Sequence, residues 1–346
     1  MIHTIEIIKP DDWHCHFRQG EFLNRTVLDS AKRFRRAVAM PNLQPPVTTV
    51  EQALNYQQQL HCVLPSAQPF TFLMVLYLTE NTSVEEIAKI KHHETIVGVK
   101  YYPAGATTHS EYGVKKIETM FPVLEAMQKH GVPLLIHGET PDPQIDLQDR
   151  EKHFIHRTLI PLVQQFPALK MIVEHISTKE AVEFVTEAPP TIGATITPHH
   201  LLLTQHDLTY RQFNVFNFCL PVVKSEEDRE ALIQAAMSDN PKFFLGTDSA
   251  PHAKTHKMKN HHCAGIYSAC NALEIYAMIF EQYHALDKLE NFASKFGAQF
   301  YGKSLNQERI TLVKQEWRIP AELDYGDDTL IPLMAGKTIS WKITEK

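Results

Sequence analysis

The stretch Asp12-Trp13-His14-Cys15-His16-Phe17-Arg18 sets two histidines two residues apart, shortly after a short apolar run, Ile5-Glu6-Ile7-Ile8. On an extended strand, side chains at i and i+2 point to one face. Two such imidazoles can reach a single metal ion at about 2.0–2.1 Å. The chain has 20 histidines, so a pair of this kind also arises by chance. Further along, Lys100, His137, His175 and Asp248 each end an apolar, strand-like run. The runs are Val97-Gly98-Val99-Lys100, Leu134-Leu135-Ile136-His137, Ile172-Val173-Glu174-His175 and Phe244-Leu245-Gly246-Thr247-Asp248. Repetition at the same end of successive runs points to a metal-dependent site, not to scattered surface residues.

The elements that position these residues alternate along the chain. Strand-like runs cover 4–8, 36–40, 70–78, 96–101, 133–137, 170–175, 191–197 and 242–247. Between them lie helix-like segments such as 48–61, 83–92, 117–130, 150–166, 179–187 and 226–238. Thr48-Thr49-Val50-Glu51 and Ser83-Val84-Glu85-Glu86 read as capping boxes, and Ser225 precedes an acidic first turn. Eight strands, each followed by a helix or long loop, predict a (β/α)8 TIM barrel. The chain then reads as one domain, 1–346, with the barrel over about 4–302 and a short C-terminal extension over about 303–346. In such barrels the chemistry sits at the C-terminal ends of the strands. His14 and His16 would follow strand 1 and Asn42 strand 2, while Lys100, His137, His175 and Asp248 end strands 4, 5, 6 and 8.

Composition narrows the class. With 346 residues, 43% of them hydrophobic, the chain can bury a large core. A net charge of -6 argues against a nucleic-acid or anionic-membrane partner. No window matches a transmembrane helix, and the first residues lack a signal peptide's basic start and apolar core. Five scattered cysteines without a Cys-x-x-Cys pair suit a reduced, cytoplasmic protein.

Each residue also has a plainer reading. A strand-end histidine is more often hydrogen-bonded structure than a ligand. Lys100 alone would be a salt-bridged or snorkelling lysine, and Asp248 a helix cap. The coincidence of all of them on one rim favours the site.

Taken together, the His-x-His of strand 1, the lysine of strand 4, the histidines of strands 5 and 6 and the aspartate of strand 8 resemble the binuclear amidohydrolase superfamily. Within it, Asp11-Asp12-Trp13-His14-Cys15-His16-Phe17-Arg18, Met40-Pro41-Asn42-Leu43, Lys100-Tyr101-Tyr102-Pro103-Ala104-Gly105-Ala106-Thr107-Thr108 and Gly246-Thr247-Asp248-Ser249-Ala250-Pro251-His252 resemble the dihydroorotase family, in its short stand-alone bacterial form. Only about a dozen residues precede the His-x-His, which leaves no room for the N-terminal β-rich segment of hydantoinase-like relatives.

The resemblance implies reversible hydrolysis of L-dihydroorotate to N-carbamoyl-L-aspartate in de novo pyrimidine synthesis. It implies two Zn(2+) per subunit: His14, His16 and Asp248 on one, His137 and His175 on the other, with Lys100 as N6-carboxylysine bridging them. The modification makes chemical sense, because an ammonium has three donors and no lone pair for a cation. Asp248 would be the catalytic residue, a general base and then a general acid. The substrate carries a carboxylate although the protein is net negative, so a local cation must bind it. Arg18 can offer a bidentate fork, and the resemblance adds Asn42 and His252 beside it. It further implies main-chain contacts from Leu220 and Ala264 to the ring edge, a lid at 104–113 whose Thr107 and Thr108 reach the substrate, and a homodimer. By composition alone that lid reads as a surface loop.

Other histidines carry less. His199-His200 follow strand 7 and read as packing or supporting residues. His261-His262, beside Cys263, read as a surface pair over an extra zinc site, and His92-His93, His153 and His156 as solvated helix positions. Two rival functions stay open: a sister hydrolase of a hydantoin or allantoin, and a catalytically silent scaffold for a partner enzyme. The first lacks a use for Arg18, Asn42 and His252, and the second predicts lost ligands where none is missing.

Overall fold

The computed structural model describes residues 2–259 and 263–344. Thirteen strands are found among them: β1 (Thr4–Ile8), β2 (Asp11–Cys15), β3 (Arg36–Ala39), β4 (Thr71–Tyr77), β5 (Ile96–Tyr101), β6 (Leu134–His137), β7 (Met171–Glu174), β8 (Ile192–Ile196), β9 (Phe243–Leu245), β10 (Arg309–Arg318), β11 (Leu323–Tyr325), β12 (Asp328–Leu330) and β13 (Thr338–Ile343). Strands β2 to β9 form one eight-stranded parallel sheet in sequence order. Their residues are almost wholly buried, as a sheet covered on both faces requires. The first and last strands meet where Asp248 N donates to His14 O at 2.8 Å and His16 N donates to Ser249 O at 3.0 Å. The fold is the expected (β/α)8 barrel.

The helices between the strands take their starts from the capping signals. The helix Val50–His61 is capped by Thr49, with Gln52 reaching back, one residue later than the Thr48–Glu51 frame. Ser83 and Ser225 cap the helices Val84–Ile90 and Glu226–Met237 as expected. Residues 150–165 are helical but interrupted by a π turn at Ile155–Leu159. The barrel floor is filled by Trp13, Val38, Leu73, Val75, Val97, Leu135, Ile172 and Phe244, and Tyr301 stacks on Trp13 with centroids 4.4 Å apart.

One element differs from expectation. Residues 4–8 are not the first barrel strand; β1 pairs antiparallel with β10 in a separate sheet ordered β1-β10-β13. The barrel instead begins at β2, which carries His14 itself. Two aspartates disguise β2 in the sequence. Asp11 is neutralised by a bidentate contact from Arg36 at 2.9 and 2.6 Å, and Asp12 accepts from Thr247 N at 2.8 Å and Thr247 Oγ1 at 2.6 Å. β1, by contrast, keeps exposed residues such as Glu6, which pairs with Arg309 at 3.0 Å. A half-exposed run is what an antiparallel edge tolerates.

Candidate active site

The closing seam of the barrel brings β2 and the end of β9 together, and with them His14, His16 and Asp248. His14 Nε2 lies 3.3 Å from His16 Nε2 and 3.3 Å from Asp248 Oδ1, and His16 Nε2 lies 3.1 Å from Asp248 Oδ1. Four ligands arranged tetrahedrally at about 2.0–2.1 Å stand about 3.3 Å apart. The three atoms therefore have the spacing of one coordination shell, and all three residues are buried. At the ends of β6 and β7, His137 Nδ1 and His175 Nε2 lie 3.3 Å apart, a second pair with the same spacing.

The other ring nitrogens are held from behind. Glu174 Oε2 accepts from His14 Nδ1–H at 2.5 Å and also from Thr195 Oγ1 at 3.0 Å. Asn42 Oδ1 accepts from His16 Nδ1–H at 2.9 Å, and Glu139 Oε2 accepts from His137 Nε2–H at 3.0 Å. Such contacts fix the tautomer and aim the free lone pair inward. Burial alone would lower the His14 imidazole, but Glu174 and Asp248 outweigh it and raise it. Burial pushes His16 down to about 3 and His175 well below its usual range. For Asp248, burial is outweighed by His14, His16 and His175, which hold its carboxyl well below the ordinary range.

Lys100 closes the set from β5. Its Nζ is completely buried and has no hydrogen-bond partner among the described residues. It lies 5.2 Å from the Tyr102 ring centre. Burial lowers it to about 8, against the pull of Glu174 and Asp248. A buried, orphaned ammonium is costly; an anionic carbamate on the same nitrogen would instead have cations to bind. The histidine spacing and this orphaned nitrogen both fit a bridged pair of metal ions.

Three residues here hold strained backbone. Arg18, His175 and Asp248 have φ of 68°, 44° and 45°. Each costs on the order of 1–3 kcal/mol for a non-glycine residue, and such strain concentrates at functional sites.

Beside the ligands, Arg18, His252 and Ala264 meet. Arg18 Nε donates to Pro251 O at 3.1 Å, and Tyr56 OH donates to Arg18 O at 2.7 Å, fixing the residue at both ends. Among the described residues no carboxylate lies in ion-pair range of Arg18. His252 Nε2 is 2.9 Å from Ala264 O and 3.1 Å from Arg18 Nη2, so it can donate to the first or accept from the second, not both. Leu220 lines the same cleft. The segment 104–113 folds over it: Thr108 Oγ1 donates to Ala264 O at 3.3 Å, and Asn42 Nδ2 donates to Thr108 O at 3.3 Å. Thr107 N is held by Ser110 Oγ at 2.9 Å.

Of the thirteen residues singled out from the sequence, eleven line this one cleft, His252 lies against its Arg18 and Ala264, and Lys100 is buried beside its Tyr102. Asn42 lines it with a contact the sequence reading did not include, its oxygen being turned to His16. Glu139 and Glu174 escaped notice; each is an acid beside or two residues from a ligand histidine, a signal too common to select by itself. His199 and His200 are buried near Cys219. His200 is engaged by Thr197 Oγ1 at 2.8 Å and Pro221 O at 3.0 Å, while neither ring nitrogen of His199 has a partner among the described residues. His156, on its exposed face, pairs with Glu180. His261 and His262 lie outside the described residues.

Comparison with known proteins agrees with this geometry. The model of the amidohydrolase family matches residues 7–312. A dihydroorotase of Coxiella burnetii is 53% identical over 339 residues, covering 98% of this chain and 97% of its own. Solved structures of similar shape include a dihydroorotase of Campylobacter jejuni, with TM-score 0.91, 34% identity and 99% and 98% of the two chains covered. Another is the Saccharomyces cerevisiae dihydroorotase in complex with 5-fluoroorotic acid, with TM-score 0.90, 35% identity and 99% of each chain covered. Sequence, fold and the gathered side chains agree, and the chain belongs to the amidohydrolase family, in its dihydroorotase branch.

Proposed function

We propose that this enzyme catalyses the reversible hydrolysis of L-dihydroorotate to N-carbamoyl-L-aspartate, the ring-opening step of pyrimidine synthesis read in the hydrolytic direction, with two zinc ions per chain. The observation that carries the reading is one cleft lined both by ligand atoms at metal spacing and by Arg18, whose guanidinium has no carboxylate partner among the described residues. His14, His16 and Asp248 would hold one ion, His137 and His175 the other, and carboxylated Lys100 both. Bound there, the ions supply Lewis-acid polarisation of the ring carbonyl and activation of the attacking water.

The chain's own residues do the rest. Arg18 grips the substrate carboxylate, with Asn42 and His252 beside it, so the ring can present only one carbonyl to the ligand cluster. The Leu220 and Ala264 main chains hold the ring edge, and Thr107 and Thr108 cover the site and exclude water. Asp248 accepts a proton from the attacking water as the carbon–oxygen bond forms. It returns that proton to the ring nitrogen as the carbon–nitrogen bond breaks, leaving a terminal carbamoyl amide and a new carboxyl group whose remaining proton is released to solvent. Ionised by its histidine neighbours, Asp248 begins in the accepting form. Free thiols at Cys15, Cys62, Cys219, Cys263 and Cys270 support a cytoplasmic setting, the net charge of -6 speaks against nucleic-acid or anionic-membrane partners, and the family resemblance supports a homodimer.

The decisive comparison is turnover of dihydroorotate against hydantoin, which lacks the carboxylate, in wild type and Arg18→Met. Wild type should strongly prefer dihydroorotate. Losing a charge-assisted hydrogen bond worth about 1.5–3 kcal/mol lowers kcat/KM roughly 10- to 150-fold in Arg18→Met, with both metals retained. Equal turnover of the two rings, or an unchanged kcat/KM in the variant, would count against the carboxylate site.

A further inference from the structure

Lys257 is 4% exposed, and its ammonium is turned into the protein toward main-chain carbonyls. Nζ donates to Phe218 O at 3.2 Å and, closer still, to Gly265 O. Arg18 and the thiols of Cys219 and Cys263, which burial keeps neutral, are the titratable groups that act on it; among the described residues no carboxylate pairs with it, and burial lowers it to about 8. A buried cation without a counter-ion costs free energy unless its donors are used. Among the described residues its donors are used at one place, the junction between two loops.

Those loops are the ones that carry Leu220 and Ala264. Gly265 N already donates to Phe218 O at 2.9 Å, so Lys257 adds a second crosslink between the same two residues. The junction has little slack. Gly265 has φ 144°, and a Cβ there would meet Ala250 O at 2.8 Å and His252 Cδ2 at 2.9 Å. One residue before, Ala264 O receives a hydrogen bond from Thr108 of the lid and lies 2.9 Å from His252 Nε2. Lys257 itself is not among the residues lining the cleft.

We propose that Lys257 is a positioning residue for the substrate: its ammonium clamps Phe218 O and Gly265 O and so sets the gap between the Leu220 and Ala264 main chains. This rests on the reading that those main chains hold the ring edge. The clamp acts on binding and not on the proton transfer, because it touches none of the candidate metal ligands and not Asp248. Its loss therefore weighs on KM and leaves kcat and the metals largely alone.

The test uses the zinc-loaded enzyme. Lys257→Met keeps the stem and removes the donors. The Kd for orotate, an unreactive planar analogue, and the KM for dihydroorotate should each rise at least about tenfold, while kcat and metal content change little. Lys257→Arg, which keeps charge and donors, should recover most of the loss. Gly265→Ala presses on the same junction from the Ala250 side and should give the same KM-weighted defect, which covers a Lys257→Met protein that does not fold. Wild-type orotate affinity in either variant, or a lower melting temperature with unchanged KM, would overturn the proposal. Absence of dihydroorotate turnover in the wild type would instead strike the proposed function, so the two failures are distinguishable.

Discussion

Asp248 has two assignments that one substitution separates. As a ligand it needs an oxygen; as a proton carrier it needs a basic one. Asp248→Asn keeps the first and loses the second. The histidines and Lys100 should still hold both ions, so metal content stays near two per chain while kcat falls by about 10²–10⁴-fold, the usual contribution of a positioned acid–base group. Retention of more than a tenth of wild-type kcat with both metals bound would send the proton by another route, with His252 the first residue to examine. The candidate ligands were legible because their types carry their chemistry wherever they stand. Glu139 and Glu174 were not, since an acid near a histidine acquires its role only when the fold turns its oxygen to the ring, as it does at 3.0 and 2.5 Å here. The same is true of Asn42, whose oxygen meets His16 at 2.9 Å.

The strand rhythm was legible wherever a buried strand kept a mostly apolar run, even with one charged residue at or near its end, as in β3, β5 and β7. It failed at β2, whose Asp11 and Asp12 are satisfied by Arg36 and Thr247, residues distant in sequence. The neighbouring apolar run, β1, took its place in the reading, although it belongs to the sheet with β10 and β13. No local pattern reports which sheet a strand will join. The lid is a second element whose role depends on tertiary contacts. Gly113 lets it turn back on the barrel: a Cβ there would meet Tyr102 O at 2.2 Å, Ser110 O at 3.0 Å and Ala104 N at 3.1 Å. Backbone atoms cannot yield as side-chain tips do, so Gly113→Ala should displace Thr107 and Thr108. A misplacement of about 1 Å can cost on the order of 10²-fold, and kcat/KM should fall by that order with metal content unchanged. Steady-state kinetics beside a metal analysis checks this, and a near-normal kcat/KM would mean the lid threonines do not contact substrate.

Across the whole molecule, a net charge of -6 surrounds a site for which we propose an anionic substrate and two cations. The conflict is resolved locally. Asp248 and the imidazoles of His14, His16, His137 and His175 gather on the side proposed for the metals, and Arg18 meets His252 on the side proposed for the substrate carboxylate, a few residues apart along the same closing seam of the barrel. That seam is fixed by main-chain hydrogen bonds of 2.8 and 3.0 Å between the His14–His16 segment and the Asp248–Ser249 segment, which ties the integrity of the site to closure of the fold. The central claim is that Lys100, orphaned and buried, becomes the anionic bridge on which both ions and turnover depend. Metal content and dihydroorotate hydrolysis measured together, in wild type and in Lys100→Ala, address it most directly. Two zinc ions per chain with activity in the wild type are expected. Lys100→Ala should lose both, with partial return of both on adding a short carboxylic acid. Full activity in Lys100→Ala, or wild-type turnover with fewer than one zinc per chain, would contradict it.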